Sequence, residues 1–314
     1  MITPGLWRRA LRRGASWRLL VLWLVGVALP VGLALGPVRL ALHDALDRSP
    51  RAPQLVAALD GEAFVDLLHF LLTAERARAY GVAVALAAAL ALLLAPLLAA
   101  ATVAVARAAE PPRWHQMLRG AGESYGKMFR VQLVSAIPYG AALGLGAWAL
   151  SAAHGRSERV FTEAAALGGY TVALLVAAVL TFLAHASVDL ARATIAAQPD
   201  RRSAFFAWLG AVRLLLRRPL RVLGLCLAAS AAAFLLAWAF TALRLRLEQG
   251  SAFKVVLAFL LAQAAVAALG WGRASRVIGL TELVRADAAE RTRPRATPVP
   301  APAAVVPAVS SPPP

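Results

Sequence analysis

Residues 80–106 read YGVAVALAAALALLLAPLLAAATVAVA, twenty-seven positions without a charged side chain. As an α-helix this stretch is about 40 Å long, and the hydrocarbon layer of a bilayer is about 30 Å thick. Working outward, five further apolar runs occupy 19–36, 128–153, 164–188, 222–243 and 253–272. The sequence therefore reads as an all-α integral membrane protein, a bundle of about six transmembrane helices. Pro96 and Pro138 fall inside two of the runs, where a proline removes a ladder hydrogen bond and predicts a kink. Composition agrees: 60% of the 314 residues are hydrophobic, above the roughly 45–50% of a soluble domain.

The flanks complete the plan. Residues 1–18 form a basic N-terminal segment with Arg8, Arg9, Arg12, Arg13 and Arg18 beside Trp7 and Trp17. The membrane domain covers 19–290, and the proline-rich stretch 291–314 is expected to be a disordered tail, since it cannot form a helix or a core. Between the first two runs, residues 37–79 read as a polar external loop. That loop carries one amphipathic helix over about 54–77, with Glu62, Asp66, His69, Thr73 and Arg76 in a single stripe. Residues 107–127 and 189–221 are basic connections, each expected to contain an interfacial helix, the second with Ser203 as N-cap and Pro219 as its break. Cleavage of the first apolar run as a signal peptide, after Ala34-Leu35-Gly36, is the competing reading of the N-terminus.

Lys and Arg concentrate in 1–18, 107–127, 189–221 and 272–293 and thin out in 154–163 and 244–254. The positive-inside rule then puts both termini in the cytoplasm and the protein in a bacterial inner membrane. The net charge of +17 does not point to nucleic acid, because the arginines lie between apolar runs rather than along one groove. Their expected partners are the bilayer itself and anionic lipid head groups, at Arg213, Arg217, Arg218 and Arg221. Cys226, the single cysteine, excludes an intrachain disulfide. The pairs Gly32/Gly36 and Gly140/Gly144 have a spacing that permits close helix approach, within the bundle, in a homo-oligomer or with another membrane subunit.

An internal echo runs along the chain. Residues 103–108 read VAVARA and 188–193 read VDLARA, each at the end of a run, and Trp114 and Trp208 precede the next runs. The sequence Asp189-Leu190-Ala191-Arg192, an amphipathic stretch, and Arg217-Arg218-Pro219-Leu220 opening the next run resemble a family. They look like the uncharacterised bacterial six-helix membrane proteins related to the membrane domain attached to some glycerophosphodiester phosphodiesterases. The resemblance covers about residues 80–285. It implies a fold and a membrane address, not hydrolysis, since no phosphodiesterase domain is present and no functional residue carries over.

Chemistry-bearing residues are few. His185, Asp189 and Arg192 share one helix face at the end of the fourth run, by i+4 and i+3 spacing, and Gln263 is the polar side chain near the middle of the sixth. Structural pairing of the first three and interhelical hydrogen bonding by Gln263 and Gln132 are the plainer readings. Glu62, Asp66 and His69 match no metal-site spacing. No phosphate-binding loop, zinc-protease or nucleophile-elbow motif occurs. The sequence thus assigns no catalytic residue, metal or cofactor. It favours a non-enzymatic scaffold, assembly or lipid-contacting component, with a transporter or permease subunit for a small or lipid-like solute as the alternative. A membrane-embedded lipid enzyme, built on His185 and Asp189, is the third class.

Overall fold

A computed structural model of the chain describes residues 4–46, 65, 69, 73–159, 162–201, 203–247 and 251–292. These residues form eight helices: α1 (Pro4–Gly14), α2 (Trp17–Leu46), α3 (Ala74–Arg107), α4 (Trp114–Ser157), α5 (Glu163–Ala197), α6 (Ala204–Arg217), α7 (Pro219–Leu245) and α8 (Ala252–Thr292). Six of them, all but α1 and α6, are long and apolar enough to cross a membrane. The protein is an all-α, multi-pass membrane protein. With six crossings, α1 and the end of α8 lie at the same end of the bundle, together with the α3–α4 connection and α6. We call this the basal end.

Several helices outrun their apolar stretches. α2 does not stop at Gly36-Pro37 but continues to Leu46, with Pro30 and Pro37 both inside it. α8, with 41 residues, is about 60 Å long, twice the hydrocarbon thickness. The two basic connections differ. Residues 114–127 form no separate interfacial helix; they run without a break into the third span as one helix, α4. Residues 204–217 do form a separate helix, α6. Proline accounts for the difference. Pro219 sits at the first turn of α7, where its missing N–H costs nothing, whereas no proline stands between Trp114 and Met128. Ser203 caps α6 by accepting from the Phe206 N–H at 3.4 Å. Residues 1–18 hold a helix that composition alone did not single out, α1, whose Ala10 is fully buried. The expected external helix over 54–77 lies almost wholly outside the described residues.

Neighbouring helices pack as α2·α3, α3·α4, α4·α5 and α7·α8, and α8 also meets α1, α2, α3 and α5. Close approach rests on other glycines than the sequence suggested. Among the described residues, a Cβ placed on Gly32, Gly36, Gly140 or Gly144 would meet nothing within 4 Å. At Gly146 it would press on the Ala177 Cβ at 3.0 Å, and at Gly272 it would collide with Ala233. Small residues matter where backbones meet, and only the assembled bundle shows where that is.

The core is concentrated at the basal end. The largest fully buried side chains include Leu19, Val103, Met117, Met128, Val131, Leu190, Ile195, Leu225, Ile278 and Leu280. Along α5 every residue from Ala186 to Ala196 is buried, whereas among residues 167–183 only Ala173 is. The outer halves of the spans present Leu174, Leu175, Phe234, Trp238 and Phe259 outward, as lipid-facing surface does.

Candidate functional site

The buried polar groups gather where the basal core begins. Asp189, on α5, is fully buried at 0% exposure. Its Oδ1 accepts from Arg192 Nη1 at 2.8 Å, one turn on. Its Oδ2 lies 3.2 Å from Arg276 Nε on α8 and 3.5 Å from His185 Nε2. Neither of these contacts to Oδ2 is a hydrogen bond: Oδ2 and Arg276 Nε face each other at ion-pair distance but off the hydrogen-bond axis. Arg276 holds its place through its other nitrogens, donating to Ser230 Oγ on α7 at 2.7 Å and facing His185 Nε2 at 2.6 Å. Ser230 in turn donates to the Cys226 carbonyl.

These contacts fix the histidine tautomer. A guanidinium only donates, so His185 Nε2 accepts from Arg276 and the ring proton sits on Nδ1. Nδ1 then donates to Tyr139 Oη on α4, 2.6 Å away. The result is a continuous polar link through four helices: Tyr139 (α4), His185 and Asp189 (α5), Arg276 (α8) and Ser230 (α7). Arg273, one turn before Arg276, stacks its guanidinium 5.3 Å over the Trp23 ring of α2 and brings in a fifth helix.

A second set of ties closes the basal end beneath this cluster. Arg107, the last residue of α3, donates to the Ile195 carbonyl at 2.8 Å, the Ala196 carbonyl at 3.2 Å and Ser124 Oγ at 3.1 Å. It thereby satisfies carbonyls in the last turn of α5 and places a cation at that helix's negative end. Lys127 Nζ donates to the Pro199 carbonyl at 2.6 Å just beyond. The echo VAVARA/VDLARA thus ends in two arginines with different duties: Arg107 ties α3 to α5, and Arg192 pairs within α5. Trp208 on α6 donates to Ser187 Oγ at 3.2 Å, whereas Trp114 packs edge-on against Trp17 at 5.7 Å.

The structure brings His185, Asp189 and Arg192 together and leaves Gln263 apart. Gln263 is partly exposed on α8 and makes no hydrogen bond among the described residues. Gln132 donates to the Leu92 carbonyl of α3 at 3.3 Å, a bond between adjacent helices. Tyr139, Ser230 and Arg276 were not legible as partners, because each sits alone in its own segment and meets Asp189 or His185 only through tertiary packing. Arg276 did carry a signal: it is an arginine within a turn of a long apolar run. Glu62 and Asp66 lie outside the described residues, and among the described residues no group of three or more His, Cys, Asp or Glu could hold a metal ion.

Chemically the cluster is a clamp. An acid buried beside two guanidiniums at the edge of the apolar layer is costly to separate from them, so it locks α5 to α8 in one register. Of the basic residues on the second connection, Arg218 is committed to an ion pair with Asp287 at 3.1 Å and another with Glu290 at 2.5 Å. Arg213 and Arg217 are exposed.

A six-span membrane bundle clamped at one end is the class that this fold and cluster define. No family model, curated protein or solved structure matches the chain.

Proposed function

We propose that this protein is a non-enzymatic, lipid-contacting membrane component whose basal end lies against an anionic leaflet and serves as a rigid platform. One observation carries the reading: the two faces of α6. One face, Ala204, Ala207, Ala211, Leu214 and Leu215, is buried in the bundle. The opposite face exposes Phe205, Phe206 and Leu216, with Arg213 and Arg217 among them. A helix apolar on both sides and set between two spans has to rest in the head-group layer, aromatic and leucine side chains down and guanidiniums at phosphate level. The rigidity of the clamp supports a platform better than a moving gate. The transporter reading finds less support, since Gln132 serves a helix contact and Gln263 stands alone.

The same reading places the protein in a bacterial inner membrane with both termini in the cytoplasm, on the distribution of arginine. The likeness to membrane domains attached to glycerophosphodiester phosphodiesterases fits such an address without supplying an activity. Homo-oligomers or a second membrane subunit are the natural users of a platform.

The protein in detergent, titrated with phosphatidylglycerol and with phosphatidylcholine, is expected to gain thermal stability from the first and far less from the second. The Arg213→Gln/Arg217→Gln variant should lose part of that difference. Equal stabilisation by the two lipids sinks the reading. For topology, alkaline phosphatase fused at either end is expected to be inactive and green fluorescent protein fluorescent; active phosphatase at both ends reverses the orientation.

A further inference from the structure

We infer that the basal end carries a specific site for the phosphate head group of an anionic membrane lipid, in the cavity between α1 and the α3–α4 connection. The inference rests on the lipid-contacting reading and deepens it by naming a site away from α6. The cavity measures about 400 Å³ and is lined by Arg9, Arg12, Arg13, Ser16, Val105 and Glu110, among others.

Its depth suits a head group. Ser16 directly precedes the span that starts at Trp17, and Val105 lies two residues before the end of the span that closes at Arg107. The cavity therefore opens at the level where two helices leave the hydrocarbon layer. Trp17, next in sequence to Ser16, is 60% exposed, the placement of an interfacial anchor.

Its walls are held in place without a ligand. Trp271 Nε1 donates to the Leu11 carbonyl of α1 at 3.0 Å, Ala10 is fully buried, and Gly14 packs against Ser275. Arg13 donates to the Ala109 carbonyl at 3.0 Å and lies 3.7 Å from Glu282, so it ties α1 to the α3–α4 connection and to α8. Arg18, in the first turn of α2, donates to the Pro112 carbonyl at 3.0 Å and ties that helix to the same connection.

Its charge is compensated only in part. Arg13 is engaged in these ties. Arg9 uses only its Nε, on the Gly5 carbonyl of its own helix, which leaves both Nη groups for an acceptor. Arg12 makes no hydrogen bond or ion pair among the described residues. Against three arginines the cavity offers one acid, Glu110. Two guanidiniums one turn apart, Arg9 and Arg12, with Ser16 also in the lining, suit the planar, bidentate recognition of a phosphate ester.

The test uses the full chain in detergent and counts bound lipid by native mass spectrometry. The probes are phosphatidylglycerol, phosphatidylcholine, and glycerol 3-phosphate as a soluble phosphate ester. Phosphatidylglycerol is expected to saturate one high-affinity site, which phosphatidylcholine does not fill. Arg9→Gln/Arg12→Gln should weaken that site by about fivefold per arginine, about 25-fold for the pair. Glu110→Gln should tighten it, a gain that misfolding does not produce. Arg213→Gln/Arg217→Gln should leave it unchanged. Unaltered affinity in the Arg9/Arg12 variant overturns the site, and if the loss falls instead on the Arg213/Arg217 variant, the broader reading survives alone. Equal retention of both lipids by every form of the protein overturns both. Occupancy of the site by glycerol 3-phosphate as readily as by phosphatidylglycerol overturns the assignment to a lipid and transfers the site to free phosphate esters.

Discussion

The two halves of α5 belong to one helix and obey different rules. From residue 167 to 183 it touches a neighbour closely enough to be buried only at Ala173, and from Ala186 to Ala196 it is buried on every side. The outer half is covered by lipid tails, which are as apolar as its Leu and Val side chains, so nothing drives those residues against protein. The inner half carries Ser187, Asp189, Arg192 and Thr194, buried polar side chains that need protein partners. There the surrounding helices converge, small residues fill the gaps, and the polar side chains pair. The difference teaches where this protein is assembled: at the basal end, by a densely buried core with an ionic clamp at its edge, with the exposed apolar outer halves of the helices projecting from it.

That contrast can be broken most directly at Asp189. Replacement by Ala leaves Arg192 and Arg276 buried without their acid and is expected to cost about 3–5 kcal/mol, the largest effect among single substitutions. Cys226, buried in α7 and the chain's only cysteine, supplies the readout. Its maleimide labelling should accelerate by two orders of magnitude or more. Labelling as slow as in the unaltered protein would remove the clamp from the account.

Overpacking the close crossing of α7 and α8 comes next. Gly272→Val forces a side chain onto Ala233 and is expected to cost about 1–3 kcal/mol, seen as a lower midpoint in thermal unfolding. A comparable enlargement at Gly140, where a Cβ meets nothing within 4 Å, should leave the midpoint in place.

Arg107→Ala removes three hydrogen bonds and exposes the end of α5. A loss of about 1–3 kcal/mol is expected, with hydrogen exchange rising over residues 193–197 before it rises anywhere in α7. Uniform acceleration along the bundle would mean that α3 and α5 are not joined by this side chain.

The smallest effects belong to the outer half. Leu174→Ala and Leu175→Ala face lipid and should stay within about 0.5 kcal/mol of the parent, as should Gln263→Leu, whose amide carries no hydrogen bond. A large loss at Leu174 or Leu175 would reveal a protein partner on that face. A functional loss with Gln263→Leu and normal stability would revive the transporter reading.

Local features of the sequence went far in this protein. The uninterrupted run at 80–106 and its five companions already required a helical bundle in a membrane, because backbone polar groups in lipid have to be satisfied within the segment. Ser203 and Pro219 announced the start and the end of α6. The i+3 and i+4 spacing of His185, Asp189 and Arg192 put the three on one face. What spacing along the chain does not encode is which helix stands opposite that face. Tyr139, Ser230 and Arg276 lie 46, 45 and 91 residues from His185 along the chain, and they meet the cluster because α4, α7 and α8 converge around α5. The same holds for glycine: the spacing at 32/36 and 140/144 is as suggestive as any, yet tight crossings fall at Gly14, Gly146 and Gly272. Composition and periodicity act within one helix and so fixed the spans. Burial, ion pairing and close approach depend on pairs of helices, and the packing of the basal end decided them.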